Sequence, residues 1–191
     1  MPSGSKTSRR RPARAVNAIS LLVQDHRKVK RLLSSLDRTT ERAGSRREAL
    51  LKEVETEIKM HTQIEEEIFY PAYKAAVRKP DGHLYFEALE EHHLVDIVLP
   101  EIKSTTVESE EFSAKAKVLK DLIDHHAEEE ESQMFPKARR AIGDEKLREL
   151  GRQMQERKMQ LQAGLLTRAV RTAGAAFETV MDQVTKKKRA A

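Results

Sequence analysis

The sequence predicts an all-α fold, an up-down-up-down four-helix bundle with an additional long C-terminal helix. Three observations predict it. Leu, Ala, Glu, Lys and Arg are common while aromatics make up only 4 % of the chain, a mix that favours helix over sheet. Seven glycines and six prolines are all that interrupt 191 residues. Apolar residues recur at spacings of three and four along successive stretches separated by short connections, which makes consecutive helices antiparallel neighbours.

Taken in order, residues 1–14 read as a basic N-terminal arm without fixed structure, with Lys6, Arg9, Arg10, Arg11 and Arg14 and no acid. The first helix is expected from about Ala15 to Glu41, with Ile19, Leu22, Val29, Leu33 and Leu36 on one stripe. Gly44 ends that stretch, and Ser45 with Glu48 is the expected capping box of the second helix. Its inner stripe is expected to carry Ile58, Ile68 and Ala72 before it fades near Pro80. Asp81-Gly82 is a turn signal, and the third helix follows with Tyr85, Ala88, Val95, Leu99 and Ile102 in register and Pro100 as a kink or stop. Ser109 is the expected cap of the fourth helix, whose stripe includes Leu119 and Leu122. Gly143 marks its end, and Asp144 is the expected cap of the last helix. The domain division expected is 1–14 as the arm, 15–142 as the bundle, and 143–191 as a helical extension with a basic tail.

That final stretch carries Leu147, Leu150, Met154, Leu161 and Leu165 on one stripe, broken by Lys158, and continues through Ala169 to Val184. At 1.5 Å per residue it is about 60 Å long if straight, longer than the bundle. It is expected to bend at Gly164 or Gly174, to fold back, or to pair with another chain as a homodimer.

Composition excludes several chemistries. With no cysteine there are no disulfides, thiolate metal sites, iron–sulfur clusters or cysteine nucleophiles, in keeping with a reducing, cytoplasmic location. No apolar run approaches the ~20 residues needed to span a membrane, and no signal-peptide core precedes the first helix. No phosphate-binding glycine loop or nucleophile elbow is present. The formal charge of +5 belongs mostly to the two tails, the second being Lys186, Lys187, Lys188 and Arg189.

The histidines fall into gaps in the apolar stripes. His26 fills the open inner position between Leu22 and Val29, and His92 fills the one between Ala88 and Val95. Their surroundings look alike, DHRKV at 25–29 and EHHLV at 91–95. The second and fourth helices match more closely, HTQIEEEIFYP at 61–71 and HAEEEESQMFP at 126–136, so one helix pair is echoed by the next. His61 with Glu65, and His126 with Glu130, stand at i and i+4, one above the other on a single helix face. A buried carboxylate costs several kcal/mol unless paired, and no Lys or Arg falls on the inner stripe beside either glutamate. His26, His61, Glu65, His92, His126 and Glu130 are therefore the candidate metal ligands, a set suited to two ions a few ångströms apart. Imidazole and carboxylate donors suit iron, manganese or zinc better than calcium or magnesium. Asp96, four residues after His92, and His93, on the stripe of Phe86, Leu89 and Ile97, are further candidates for ligation or for orienting a bound water. Glu66, Glu67, Glu128 and Glu131 are expected to face solvent, and His125 and His83 to be bystanders.

These segments resemble the hemerythrin family in its HHE cation-binding branch, over about residues 15–141. The resemblance implies a non-haem diiron centre in a four-helix bundle. Oxygen-carrying hemerythrins have another histidine one turn after the third-helix ligand, where this chain has Asp96. That departure makes the chain similar to bacterial and regulatory members rather than to reversible oxygen carriers, with a lowered iron potential. The function expected is to bind, sense or handle iron, oxygen, nitric oxide or peroxide. The alternatives are a peroxide-detoxifying enzyme, or a metal-stabilised interaction protein whose basic tails bind nucleic acid through salt-sensitive contacts.

Overall fold

The computed structural model describes residues 17–189, with backbone alone at 168, 169 and 172–189. The basic arm at 1–14 lies outside the described residues, as do the side chains of Lys186, Lys187, Lys188 and Arg189. Among the described residues the chain is all-helical, with no strand. The helices are α1 (Ala18–Asp37), α2 (Gly44–Ile64), α3 (Tyr70–Ala76), α4 (His83–Ser104), α5 (Glu110–Glu129), α6 (Phe135–Ile142) and α7 (Asp144–Arg189). No described helix is long and apolar enough to cross a membrane.

Local chemistry explains the ends. Asn17 caps α1, its side chain accepting from the Ser20 N–H at 2.8 Å. Ser109 caps α5 by accepting from the Phe112 N–H at 3.1 Å, as its sequence predicts. The capping box expected at Ser45 does not form: α2 begins at Gly44, with Ser45 already inside it and no side-chain cap. Asp144 is likewise the first residue of α7 rather than its cap. Gly143 separates α6 from α7 with φ +81, a backbone state that disfavours any side chain. Pro100 does not stop α4, which runs on to Ser104.

Two π turns shape the bundle. Residues Glu65–Phe69 join α2 to α3, and Glu130–Met134 join α5 to α6. Each inserts one residue into an otherwise continuous helix and turns everything after it by about 100°. The stripe expected through Ile68 and Ala72 is displaced for this reason. Both are only half-buried, while Phe69, Tyr70 and Tyr73 are fully buried in their stead.

α1 packs on α2 and α5, and α4 packs on α5 and α2. The apolar core is split in two. One cluster gathers Leu22, Ile64, Phe69, Ala88 and Met134, and the other gathers Val29, Ile58, Val95, Leu119 and Ile123. On each of the four helices the candidate ligands fall between the two clusters, so the bundle encloses a polar layer with an apolar layer on either side. α7 contributes Leu147, Leu150 and Met154 to the first cluster. Its helix passes through Gly164 and Gly174 without interruption for 46 residues. At the far end Arg47, 2 % exposed, donates to the carbonyls of Thr39 (3.1 Å) and Val107 (2.6 Å) and to Ser113 Oγ (2.8 Å), tying both inter-helix connections together.

Candidate metal centre

Each ligand position is set by a helix whose neighbouring turns are anchored in the core. His26, His61, Glu65, His92, His126 and Glu130 are all buried, with Glu65 at 0 % and Glu130 at 2 % exposure. One ligand atom from each of His26, His61, Glu65, His126 and Glu130 lies within 4.8 Å of all the others. His92 joins them through its Nε2, 3.4 Å from Glu65 Oε2.

The imidazoles form two pairs. His26 and His61 meet edge to face with centroids 4.7 Å apart, and His92 and His126 stand 4.9 Å apart. Each glutamate spans both pairs. Glu130 Oε2 is 3.2 Å from His26 Nε2 and 3.8 Å from His126 Nε2, while Glu65 Oε2 is 3.2 Å from His61 Nε2 and 3.4 Å from His92 Nε2. The Nε2 atoms of His26, His61 and His126, both oxygens of Glu65 and Glu130 Oε2 are buried without a hydrogen-bond partner. Buried polar groups left unmade cost about 1–3 kcal/mol each. So many orphans converging on one point fit a cation that uses them all.

The opposite ring nitrogens are held by carboxylates. His26 Nδ1 is 2.9 Å from Glu131 Oε1, His92 Nδ1 is 2.8 Å from Glu66 Oε1, and His126 Nδ1 is 2.7 Å from Glu91 Oε2. His61 Nδ1 faces Asp25 at 3.8 Å, inside Coulombic range but too long for a hydrogen bond. The hydrogen-bonded carboxylates behind His26, His92 and His126 fix those tautomers and leave Nε2 free to ligate. Glu66 and Glu131 are exposed, as their positions in the sequence suggest, yet each reaches inward to a histidine. The signal for these partners lies in the repeat. An acid precedes both lone histidines (Asp25, Glu91), and an acid follows both buried glutamates (Glu66, Glu131).

Asp96 and His93 are corrected by the structure. Both are exposed, because α4 buries only the narrow stripe through Ala88, His92, Val95 and Leu99. Phe86 and Ile97, which made His93's stripe look internal, are 57 % and 46 % exposed. Asp96 therefore brings no anion to the centre and would not lower the potential of an iron held there. A different oxygen does enter. Tyr70 Oη donates to Glu130 Oε1 at 2.9 Å and stands 3.3 Å from His92 Nε2. The repeat places Phe135 at the matching position, stacked on His26 at 5.8 Å, so the centre is asymmetric at this one pair.

Without a metal the charges sort themselves. Burial, reinforced by the Glu130 charge, pushes Glu65 well above the usual carboxylate range. Burial also opposes the charge of Glu130, but His126 and His26 outweigh it and hold that carboxyl low. Burial drives His61 down to about 4, so its ring is neutral. Burial and the nearby Glu130 charge push Tyr70 well above its ordinary value, so the phenol remains a donor. Beneath the imidazoles lies a cavity of about 10 Å³, walled by the four histidines and by Val29, Ile58, Val95 and Ile123. That is room for about one water-sized molecule.

Comparison with known proteins agrees with this geometry. The family model described as Hemerythrin HHE cation binding domain matches residues 17–138. The solved structure of a Hemerythrin HHE cation binding domain-containing protein from Mycobacterium kansasii is similar with a TM-score of 0.70 and 29 % identity, over 80 % of this chain and 91 % of that one. A curated protein from Nostoc sp., named a DNA nickase, is 22 % identical over 162 residues, which is 85 % of this chain. This chain spans 45 % of that protein's length.

Proposed function

We propose, from the premise that this chain belongs to the hemerythrin HHE cation-binding family, that it is a non-haem diiron protein which binds or handles a small ligand, dioxygen, nitric oxide or peroxide. The four helices α1, α2, α4 and α5 form the family's up-down-up-down bundle. One observation carries the reading: the unpartnered Nε2 and carboxylate oxygen atoms converge on one buried point. His26, His61, His92, His126, Glu65 and Glu130 would together hold the ions. Manganese or zinc would satisfy the same donors; iron and manganese add redox chemistry, which zinc does not.

Bound iron would supply a redox-active Lewis acid with an open position for the ligand. The chain's own residues do the rest. Glu131, Glu66 and Glu91 orient His26, His92 and His126. Val29, Ile58, Val95 and Ile123 keep bulk water out of the cavity and limit its occupant to a few atoms. Tyr70 Oη holds a proton at Glu130 Oε1, beside both imidazole pairs.

Loading the protein with ferrous iron without oxygen, then admitting air, should give about two irons per chain by elemental analysis and near-ultraviolet charge-transfer bands. His61→Ala should lose both. Failure to take up iron would sink the reading. Steady-state peroxide consumption that ceases in His126→Ala would assign turnover, and iron loading without consumption would assign binding or sensing.

The likeness to a protein named a DNA nickase favours a second reading, in which the basic termini contact nucleic acid. Duplex DNA should then bind more weakly at higher salt, and deleting residues 1–14 and 186–191 should remove the salt-sensitive part. Equal binding by the full and truncated chains would eliminate it.

A further inference from the structure

The apolar face of α7 changes side as the helix leaves the bundle. Up to Leu161, the residues that meet the core are Leu147, Leu150 and Met154, with Leu161 half-buried against them. From Met159 onward a second seam begins, about 150° around the helix from the first. Met159, Leu166 and Val170 on it are 58 %, 69 % and 73 % exposed. Its spacing alternates strictly between four and three residues as far as Val184, and all eight positions are apolar. A heptad seam of this length marks a coiled-coil strand. The charges agree. Arg168, Arg171, Glu178 and Asp182 are the charged residues between Met159 and Val184, and every one takes an outer register position. The positions flanking the seam carry Gln, Thr, Ala, Gly or Met, never a charge. The seam lies beyond residue 138, where the family match ends.

We propose that this outer part of α7 pairs with the same segment of a second copy of the chain, antiparallel. Antiparallel self-pairing balances the volumes layer by layer. Met159 falls opposite Val184, Ala163 opposite Val180, Leu166 opposite Phe177, and Val170 opposite Ala173. Each alanine meets a valine, and the one aromatic meets a leucine. Parallel pairing would instead set Ala163 and Ala173 against themselves, leaving voids, and Phe177 against Phe177. It would also bring the two Lys186–Arg189 tails side by side, eight positive charges in one place. The uncharged flanks let two identical helices approach without repulsion.

Sedimentation of the full chain at micromolar concentration should give twice the 21.8 kDa mass of one chain. Leu166→Glu with Val170→Glu should give a monomer of unchanged iron content and helicity, since both side chains are exposed in the single chain. Arg171→Glu, on the outer face, should remain dimeric. Because the chain has no cysteine, register can be read directly. Ala163→Cys and Val180→Cys chains should form a mixed disulfide with each other when combined, and neither should link to itself. A monomeric wild type, a monomer that settles on anionic vesicles, or a dimer indifferent to the double glutamate variant would overturn the proposal. Self-linking by Ala163→Cys would overturn the antiparallel register.

Discussion

Stripping the metal is expected to lower the melting temperature by about 8–16 °C, while Glu65→Leu makes the stripped protein more stable than the stripped wild type. Both follow from the same buried layer. A ligand present at about a thousand times its dissociation constant adds about 4 kcal/mol to the folded state. For a domain of this size each kcal/mol is worth about 2–4 °C. Without the metal, both carboxylate oxygens of Glu65 are buried and unpartnered, and Glu130 faces them with its own charge. Burial raises the Glu65 carboxyl above its ordinary range, and proton uptake softens the penalty of burial without removing it. Replacing it with leucine, in contact with the apolar residues around Ile64 and Phe69, should recover about 1–3 kcal/mol. The same substitution should abolish stoichiometric iron. Opposite signs on stability and metal content mark a residue kept for ligation. If Glu65→Leu destabilised the metal-free protein, the glutamate would be a structural part of the core. The check is thermal unfolding of chelated and iron-loaded samples of both proteins.

How much of this was legible in the sequence depends on what each feature needs. His26, His92 and the two His–Glu pairs were legible because helical period alone puts them on the inner face, and the repeat says so twice. The stripes before Glu65 and Glu130 follow for the same reason. After those glutamates the period breaks, because a π turn is one residue longer than the α turn that spacing assumes. Nothing in EEEIF or EESQM announces it to a residue count, so spacing points inward at Ile68 where the structure buries Tyr70. Tyr70 is the polar group that this shift carries into the centre. Asp96 and His93 failed for another reason. An exposed apolar residue such as Phe86 is ordinary on a protein surface, and periodicity does not distinguish it from a core residue. Lys158 was visible as a break in the stripe of the last helix, but only the packed structure supplies its partner.

That partner is Asp25, and the pair is the second place where a large effect is expected. Lys158 Nζ on α7 donates to Asp25 Oδ1, with 14 % and 9 % of the two side chains exposed. Asp25 Oδ2 in turn faces His61 Nδ1. A cation on the last helix thus holds the anion that stands behind a candidate ligand. Breaking a buried pair from one side strands the other charge, so Lys158→Met should cost about 3 kcal/mol of stability in the metal-free protein. Asp25→Asn combined with Lys158→Met should regain most of that loss, because no bare charge remains. Iron retention should not recover with it, since the support behind His61 is gone in both variants, and such losses are typically about 10–100-fold in affinity. The acid dependence has a definite sign. Burial alone would raise the Asp25 carboxyl, but His61 and Lys158 outweigh it and hold it below its ordinary value. A depressed folded-state value means that the stabilisation is complete above the unfolded value of about 3.9 and is lost as pH falls through the folded one. The urea stability of wild type relative to the double variant should therefore be constant from pH 7 to pH 5 and fall below about pH 4. If Lys158→Met changed neither unfolding nor iron retention, the contact would be an ordinary surface pair, and α7 would support the centre only through Leu147, Leu150 and Met154.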